Sequence, residues 1–327
     1  MTASTMERRQ WNRWALAMMA TPWLGAQAQV QDRTVVVAPF PPGGPVDWLA
    51  RVLAEQVGRR SNQPAVVENP SGGAGNIGID RVRKARPDGR TALVVPAGNL
   101  TINPTLMPNF PFNIEKDFVA VTMLAKAPNV LVAAPSSRIR SVKDLIEQAR
   151  ARPGQLSYAS PGIGSGLHLA GELFKQQTGV DLLHVPYKGT APALNDVMGG
   201  TVPLMFTNLP AALPQIRSGK LVALGITDAQ RDALVAPDIP TLAEQGVPGV
   251  VVTSWYGLLL PAGSPAETVG QWLKDAQDAL AQPAVRESLK TQGLTAVLSS
   301  PADFAAHIKT ETATWARIIR ARNITAE

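Results

Sequence analysis

Short β-branched runs alternate along the chain with apolar residues at helical spacing, the pattern of a largely parallel α/β sheet. Residues 34–38 read as a strand leading through Phe40-Pro41-Pro42-Gly43-Gly44-Pro45 into a helix over about 47–58. In that helix Trp48, Leu49, Val52, Leu53 and Val57 recur on one face. A strand at 65–68, the run Gly72-Gly73-Ala74-Gly75, a helix to about 85, the turn Pro87-Asp88-Gly89 and a strand at 91–96 complete a βαβαβ unit. Glycine-rich loops stand at the carboxyl ends of its strands.

A second unit opens with a strand at 129–134, taken as the first crossing between two lobes. Ser141 caps a helix to about 151 with Asp144 in its first turn. A strand at 156–159 runs into Ser160-Pro161-Gly162-Ile163-Gly164-Ser165-Gly166 and a helix over about 167–179. Strands at 182–186, 202–206 and 221–226 and a helix at 191–198 follow. The apolar stretch 250–260 reads as the return crossing, and two amphipathic helices, about 265–280 and 301–321, close the chain. The expected organisation is one lobe from 31–128 and 253–327, and a second from 129–252, with a cleft between them.

The first residues read as a leader. Arg8, Arg9 and Arg13 precede an uncharged stretch, and Ala26-Gln27-Ala28 offers a small-x-small cleavage site, so 1–28 is expected to be removed on export. The stretch is short for a membrane span. An exported protein, soluble outside the cytoplasm, is the expectation. The leader carries Glu7 besides the three arginines, so its loss lowers the formal charge of +6 only slightly. Basic and acidic residues alternate thereafter, which argues against nucleic-acid binding.

The chain contains no cysteine, which excludes thiol chemistry and cysteine-held metals. Its three histidines, His168, His184 and His307, lack metal-ligand spacing and are read as structural. No metal and no cofactor is expected.

Three glycine-rich strand-to-helix junctions carry the candidate chemistry: 41–45, 72–75 and 162–166. Glycine allows close backbone approach, and a helix start directs unpaired N–H groups at an anion. Such sites gather at the carboxyl ends of strands in open α/β sheets. No phosphate loop and no dinucleotide fingerprint is present, so a small carboxylate fits better than a nucleotide. Asp47 reads as a cap or first-turn acid. Ser165 reads equally as a ligand hydroxyl or a helix cap. Tyr187-Lys188-Gly189 follows a strand and either packs or lines the cleft, while Trp255 and Trp315 read as core. Gly164-Ser165-Gly166 imitates a nucleophile elbow, but Ile163 and Leu167 occupy the positions that G-x-S-x-G requires to be glycine. No enzyme is expected.

With those residues in place, the chain resembles the extracytoplasmic solute receptors of tripartite tricarboxylate transporters, the Bug proteins. The resemblance runs over about 35–324 and rests on ordered stretches. Among them are Phe40 to Asp47, Val67-Glu68-Asn69-Pro70, Gly75-Asn76-Ile77-Gly78, Pro87-Asp88-Gly89 and Tyr158-Ala159-Ser160. Further on come Gly162-Ile163-Gly164-Ser165 with His168-Leu169, His184 to Gly189, Gly219-Lys220-Leu221, Pro240-Thr241 and Trp255-Tyr256-Gly257.

The resemblance implies a periplasmic-binding-protein type II fold, α/β, with two lobes joined by two crossing strands. It also implies a ligand carboxylate gripped by Phe40, Pro42, Gly43, Gly44, Val46 and Asp47 opposite Ser160, Gly162, Gly164, Ser165 and His168. The rest of the ligand would meet Gly98, Asn99, Tyr187 and Thr207. Relatives frequently carry aspartate where this chain has Thr207, which weakens an amino-acid ligand and leaves a dicarboxylate, tricarboxylate or aromatic acid. The implied partners are membrane permease subunits, with the receptor acting as a monomer. A carboxylate-sensing subunit for a membrane kinase would use the same pocket. A hydrolase is the remaining alternative and lacks its elbow.

Overall fold

The computed structural model describes residues 33–325 apart from Leu234, so the leader expected at 1–28 lies outside the described residues. Strand β1 (Thr34–Val37) feeds helix α1 (Pro45–Ser61). Pro45 fixes the first helical φ, Asp47 sits in the first turn, and Asn62 ends the helix in the left-handed region. Leu49, Leu53 and Val57 are fully buried on its inner face, each contributing about 1.5–3 kcal/mol by leaving water. β2 (Ala65–Glu68), α2 (Asn76–Arg83) and β3 (Thr91–Pro96) follow as expected.

Two short helices come next, α3 (Ala97–Thr101) and α4 (Asn103–Leu106), and then the one-turn α5 (Ile114–Asp117). None was foreseen, because four or five residues are too few to show a period. The ten-residue strand β4 (Phe118–Ala127) was also missed. Its residues are buried with little alternation, so no two-residue rhythm marks it.

Pro128 ends β4, and β5 (Asn129–Ala133) begins at once in another sheet. The chain thus passes from the first sheet to the second at the start of the strand expected over 129–134. Then come α6 (Val142–Ala151), capped by Ser141 Oγ accepting the Asp144 amide at 3.0 Å, β6 (Ser157–Ser160), α7 (Gly166–Thr178) and β7 (Leu183–Pro186). α8 (Thr190–Met198) precedes β8 (Leu204–Asn208), which lies two residues later than expected. α9 (Leu209–Arg217) follows it directly, unforeseen because Pro210 and Pro214 disguise the helix. After β9 (Val222–Ile226), the return strand β10 (Ser254–Pro261) starts only at Ser254, later than the 250–260 reading. α10 (Ala266–Ala281), α11 (Pro283–Thr291), the short β11 (Thr295–Ala296) and α12 (Pro301–Arg322) complete the chain. α11 and β11 were not anticipated.

The first sheet has the order β11-β4-β10-β3-β1-β2 and the second β7-β6-β8-β5-β9. Both repeat one plan. Three parallel strands stand in the order second, first, third, and next to them lies an antiparallel strand that adjoins a crossing, β10 in one sheet and β5 in the other. The apolar core of the second sheet reaches beyond it, because Ile102 and Leu106 from the α3–α4 region and Trp315 and Ile319 from α12 pack into it. Among the described residues no helix is long and apolar enough to cross a membrane.

Candidate functional site

The segments that follow β1, β2, β3, β6 and β7 and the last residue of β8 all open on one cavity of about 620 Å³, which also takes in the segment 252–256 and two residues of α12. That size suits a small ligand. Carboxyl strand ends from both sheets thus converge, as open α/β folds favour. The halves touch across it: a Cβ built on Gly98 would stand 2.9 Å from the Gly164 carbonyl oxygen, and one on Gly164 2.9 Å from Asn103 Oδ1.

The wall is mostly apolar, with Phe40, Ile102, Ile163, Leu167, Val252, Trp255 and Trp315 among its residues, and its charged members are Lys188 and Glu311. Among the described residues no group of three or more acidic or histidine side chains is arranged to hold a metal.

Of the site residues read from the sequence, Phe40, Gly98, Asn99, Gly162, Gly164, Ser165 and Tyr187 line this cavity. Asn99 also donates to the Ala74 carbonyl at 2.7 Å and so ties the second glycine run to the loop after β3. Pro42, Gly43, Gly44, Val46, Asp47, Ser160, His168 and Thr207 do not line it. Pro42 and Gly43 are exposed, while Val46 joins the core under α1.

Asp47 is buried and turned back on its own loop. Its carboxylate accepts the Gly43 amide at 3.0 Å, Arg51 Nε at 2.9 Å and Asn69 Nδ2 at 3.1 Å. Burial works against its charge, but the bonds from Arg51, Gly43 and Asn69 outweigh that and hold the carboxyl below its usual value. The Gly43 N–H, which a ligand anion would need, is already taken. Asp47 is the first-turn acid of α1.

The Gly-Ser loop is similarly committed in part. Gly162 has φ +148 and Gly164 φ +77, conformations that favour glycine. Ser165 caps α7: its Oγ accepts the His168 amide at 3.1 Å and donates to the Gly162 carbonyl at 2.7 Å. The hydroxyl thus serves as the helix cap that the sequence allowed, on a residue that also lines the cavity. Gly162 N–H goes to Ser160 Oγ and Gly164 N–H to His168 Nδ1. The amides of Ile163, Gly166 and Leu167 remain without an acceptor among the described residues, and all three residues line the cavity. Two of them are the first amides of a 13-residue helix whose dipole adds to their field.

Behind this loop His168 and His184 stack at 4.0 Å, and His184 Nε2 meets Ser160 Oγ at 2.7 Å. Tyr158 stacks on the other side of His184 and donates to Glu172, which Lys175 also holds. Burial, with Lys175 nearby, pushes His168 down to about 4, and burial with His168 pushes His184 down to about 3. Both rings are neutral props of the loop at neutral pH. Thr207 is buried with its hydroxyl unpartnered.

Two clusters went unforeseen. On α12, Glu311 accepts both cavity tryptophans, Trp255 Nε1 at 2.6 Å and Trp315 Nε1 at 3.0 Å. At the crossings, Asn129 Nδ2 donates to the Val252 carbonyl at 2.8 Å, a carbonyl that also accepts the Thr227 hydroxyl at 2.6 Å. Asn208 Nδ2 donates to Asn129 Oδ1 at 2.8 Å and to Ser254 Oγ at 2.9 Å, and Ser254 donates to Asn129 Oδ1 at 2.9 Å. The only sequence signal for this network was the polarity of Asn129, Asn208 and Ser254 beside apolar strands.

The family described as tripartite tricarboxylate transporter family receptor matches residues 49–324. The protein BugT of Bordetella pertussis is 38% identical over 286 residues, 87% of this chain and 87% of BugT. Among solved structures, R. palustris Rpa4515 with adipate shares 35% identity at a TM-score of 0.81 and covers 90% of this chain and 99% of its own. MatC from Rhodopseudomonas palustris with bound malate shares 31% identity at a TM-score of 0.79, covering 88% of this chain and 99% of its own.

Proposed function

Because the chain belongs to the tripartite tricarboxylate transporter receptor family, we propose that it is a periplasmic receptor that captures a small carboxylate between its two halves and delivers it to membrane permease subunits. The observation that carries this reading is the set of unpartnered amides at the start of α7, Gly166 and Leu167 with Ile163 beside them, opening into a cavity with mostly apolar walls. A carboxylate there accepts charge-assisted hydrogen bonds while its body meets Phe40, Ile102 and the two tryptophans. Lys188, on the loop after β7, adds a cation to the wall. The adipate and malate held by the two R. palustris proteins support an anionic ligand. No chemistry on the ligand is involved: the Ser165 hydroxyl caps a helix and lacks a base.

Capture and closure are one event in this reading. An open form exposes the α7 amides, and the ligand favours the closed form by the contacts that both halves make with it there. The contact of Gly98 with the Gly164 carbonyl then belongs to the closed form.

The test is titration of purified, ligand-free protein with a panel of carboxylates, following tryptophan fluorescence, to which Trp255 and Trp315 on the cavity wall contribute, together with melting temperature. Saturable binding of at least one acid is expected. Absence of any response, from protein shown by mass spectrometry to hold nothing, overturns the proposal. Co-purification with a small and a large permease subunit checks the delivery step separately.

A further inference from the structure

The polar network at the crossings assigns a second recognition element to the same cavity, and this inference rests on the receptor reading above. Asn129 is fully buried, and its Nδ2 donates to the Val252 carbonyl, which can only accept. Its Oδ1 must therefore be the acceptor for both remaining neighbours. Asn208 and Ser254 meet that oxygen, so the Asn208 amide points its NH2 group inward and the Ser254 hydrogen is spent there. The second hydrogen of the Asn208 NH2 group goes to Ser254 Oγ. Both donors of Asn208 are consumed, and the orientation of the amide is fixed by its partners.

What Asn208 has left is its carbonyl oxygen. No group among the described residues donates to Oδ1, and that oxygen is not among the sealed, unsatisfied atoms, which are Asn76 Oδ1 and Thr207 Oγ1. Asn208 itself lines the cavity. We infer that Asn208 reads a hydrogen-bond donor on the ligand, so that the preferred acids carry a hydroxyl or an amine besides the carboxylate. The acceptor stands at the end of β8, bonded to the residues that open the two strands next to the crossings, Asn129 of β5 and Ser254 of β10. Val252, whose carbonyl anchors the network, is also next to the α7 amides, since a Cβ on Gly166 would lie 3.5 Å from its side chain. A donor that meets Asn208 therefore engages a network that includes the first residues of β5 and β10. A ligand lacking the donor leaves the carbonyl desolvated without a partner.

The experiment compares matched acids by calorimetry on the purified, ligand-free protein: phenyllactate against phenylpropionate, and para-hydroxybenzoate against benzoate. In at least one pair the hydroxylated acid is expected to bind about 10-fold more tightly. Asn208→Ala leaves Asn129 Oδ1 its bond from Ser254, and is expected to bring that ratio to near one, with the hydroxylated acid losing affinity and the unsubstituted acid losing none. Equal binding within both pairs overturns the inference and leaves the receptor reading standing. A variant that weakens both members alike overturns it too, since Asn208 would then only support the fold. Failure of all four acids and of the wider carboxylate panel removes the receptor reading and this inference together.

Discussion

Gly98 and Gly164 face each other across the cavity so closely that a methyl group on Gly98 would sit 2.9 Å from the Gly164 carbonyl oxygen. Gly98 lies within α3 and has no left-handed φ, so alanine suits its backbone. The penalty of a side chain there is purely a matter of the opposing loop. Gly98→Ala is therefore expected to fold normally, with an unfolding midpoint near the parent, and to weaken ligand binding at least 10-fold by holding the halves apart. Calorimetry with any acid that the parent binds, paired with small-angle scattering, reads both effects. An unchanged affinity would show that the two loops separate freely in the bound form.

Glu311 joins two cavity tryptophans that lie 60 residues apart in the chain, Trp255 and Trp315. Glutamine keeps the size, but one indole N–H then faces an amide donor and loses its acceptor. Glu311→Gln should cost about 1–3 kcal/mol of stability and alter tryptophan emission before any ligand is added. Urea denaturation followed by fluorescence checks both, and a variant matching the parent in midpoint and spectrum would count against the clamp.

Acid should loosen the loop through its histidine pair. His168 is held near 4 and His184 near 3, whereas each titrates near 6.5 in an unfolded chain. Below 6.5 the unfolded chain takes up protons that the folded one refuses, so this stability is complete above 6.5 and fades as pH falls toward 4. His168 alone accounts for on the order of 3 kcal/mol. Tyr158, Glu172 and Lys175 face the pair and remain as they are in His168→Leu. The parent should lose more stability between pH 7 and pH 4.5 than that variant. Parallel losses in denaturation curves would refute the assignment.

Gly171 lies mid-helix in α7, where a Cβ would fall 2.2 Å from the Tyr158 ring. Alanine raises helix propensity by about 1 kcal/mol, yet here it must displace a fully buried aromatic ring. Gly171→Ala should destabilise by about 1–3 kcal/mol net, visible as a lower melting temperature. A rise in melting temperature would mean that the ring yields without cost.

Local pattern made much of this legible. The β1–α1 and β6–α7 junctions, the Ser141 cap and the first-turn position of Asp47 depend on neighbours within a few residues, and such signals survive in a single sequence. β4 escaped because a strand covered on both faces has no alternating pattern, and α3 and α4 because they are too short to show one. Site residues were legible as loops and less so as contacts. Phe40, Gly98, Asn99, Gly162, Gly164, Ser165 and Tyr187 reach the cavity wall, while Val46, Asp47, Ser160, His168 and Thr207 are buried beside it.

The amino-acid order alone determined the alternation of strands and helices, the glycine junctions able to meet an anion, and the absence of thiol chemistry. Only the tertiary structure decided which amides stay free. Gly43 is occupied by Asp47 and Gly164 by His168, whereas the first amides of α7 stay open where the residues line the cavity. It also decided that Asn129, Asn208 and Ser254 meet at the crossings, although 79 and 46 residues separate the successive partners. A hydrogen bond is satisfied by whatever group the folded chain brings within about 3 Å, and that proximity is a property of the whole fold and not of the local sequence.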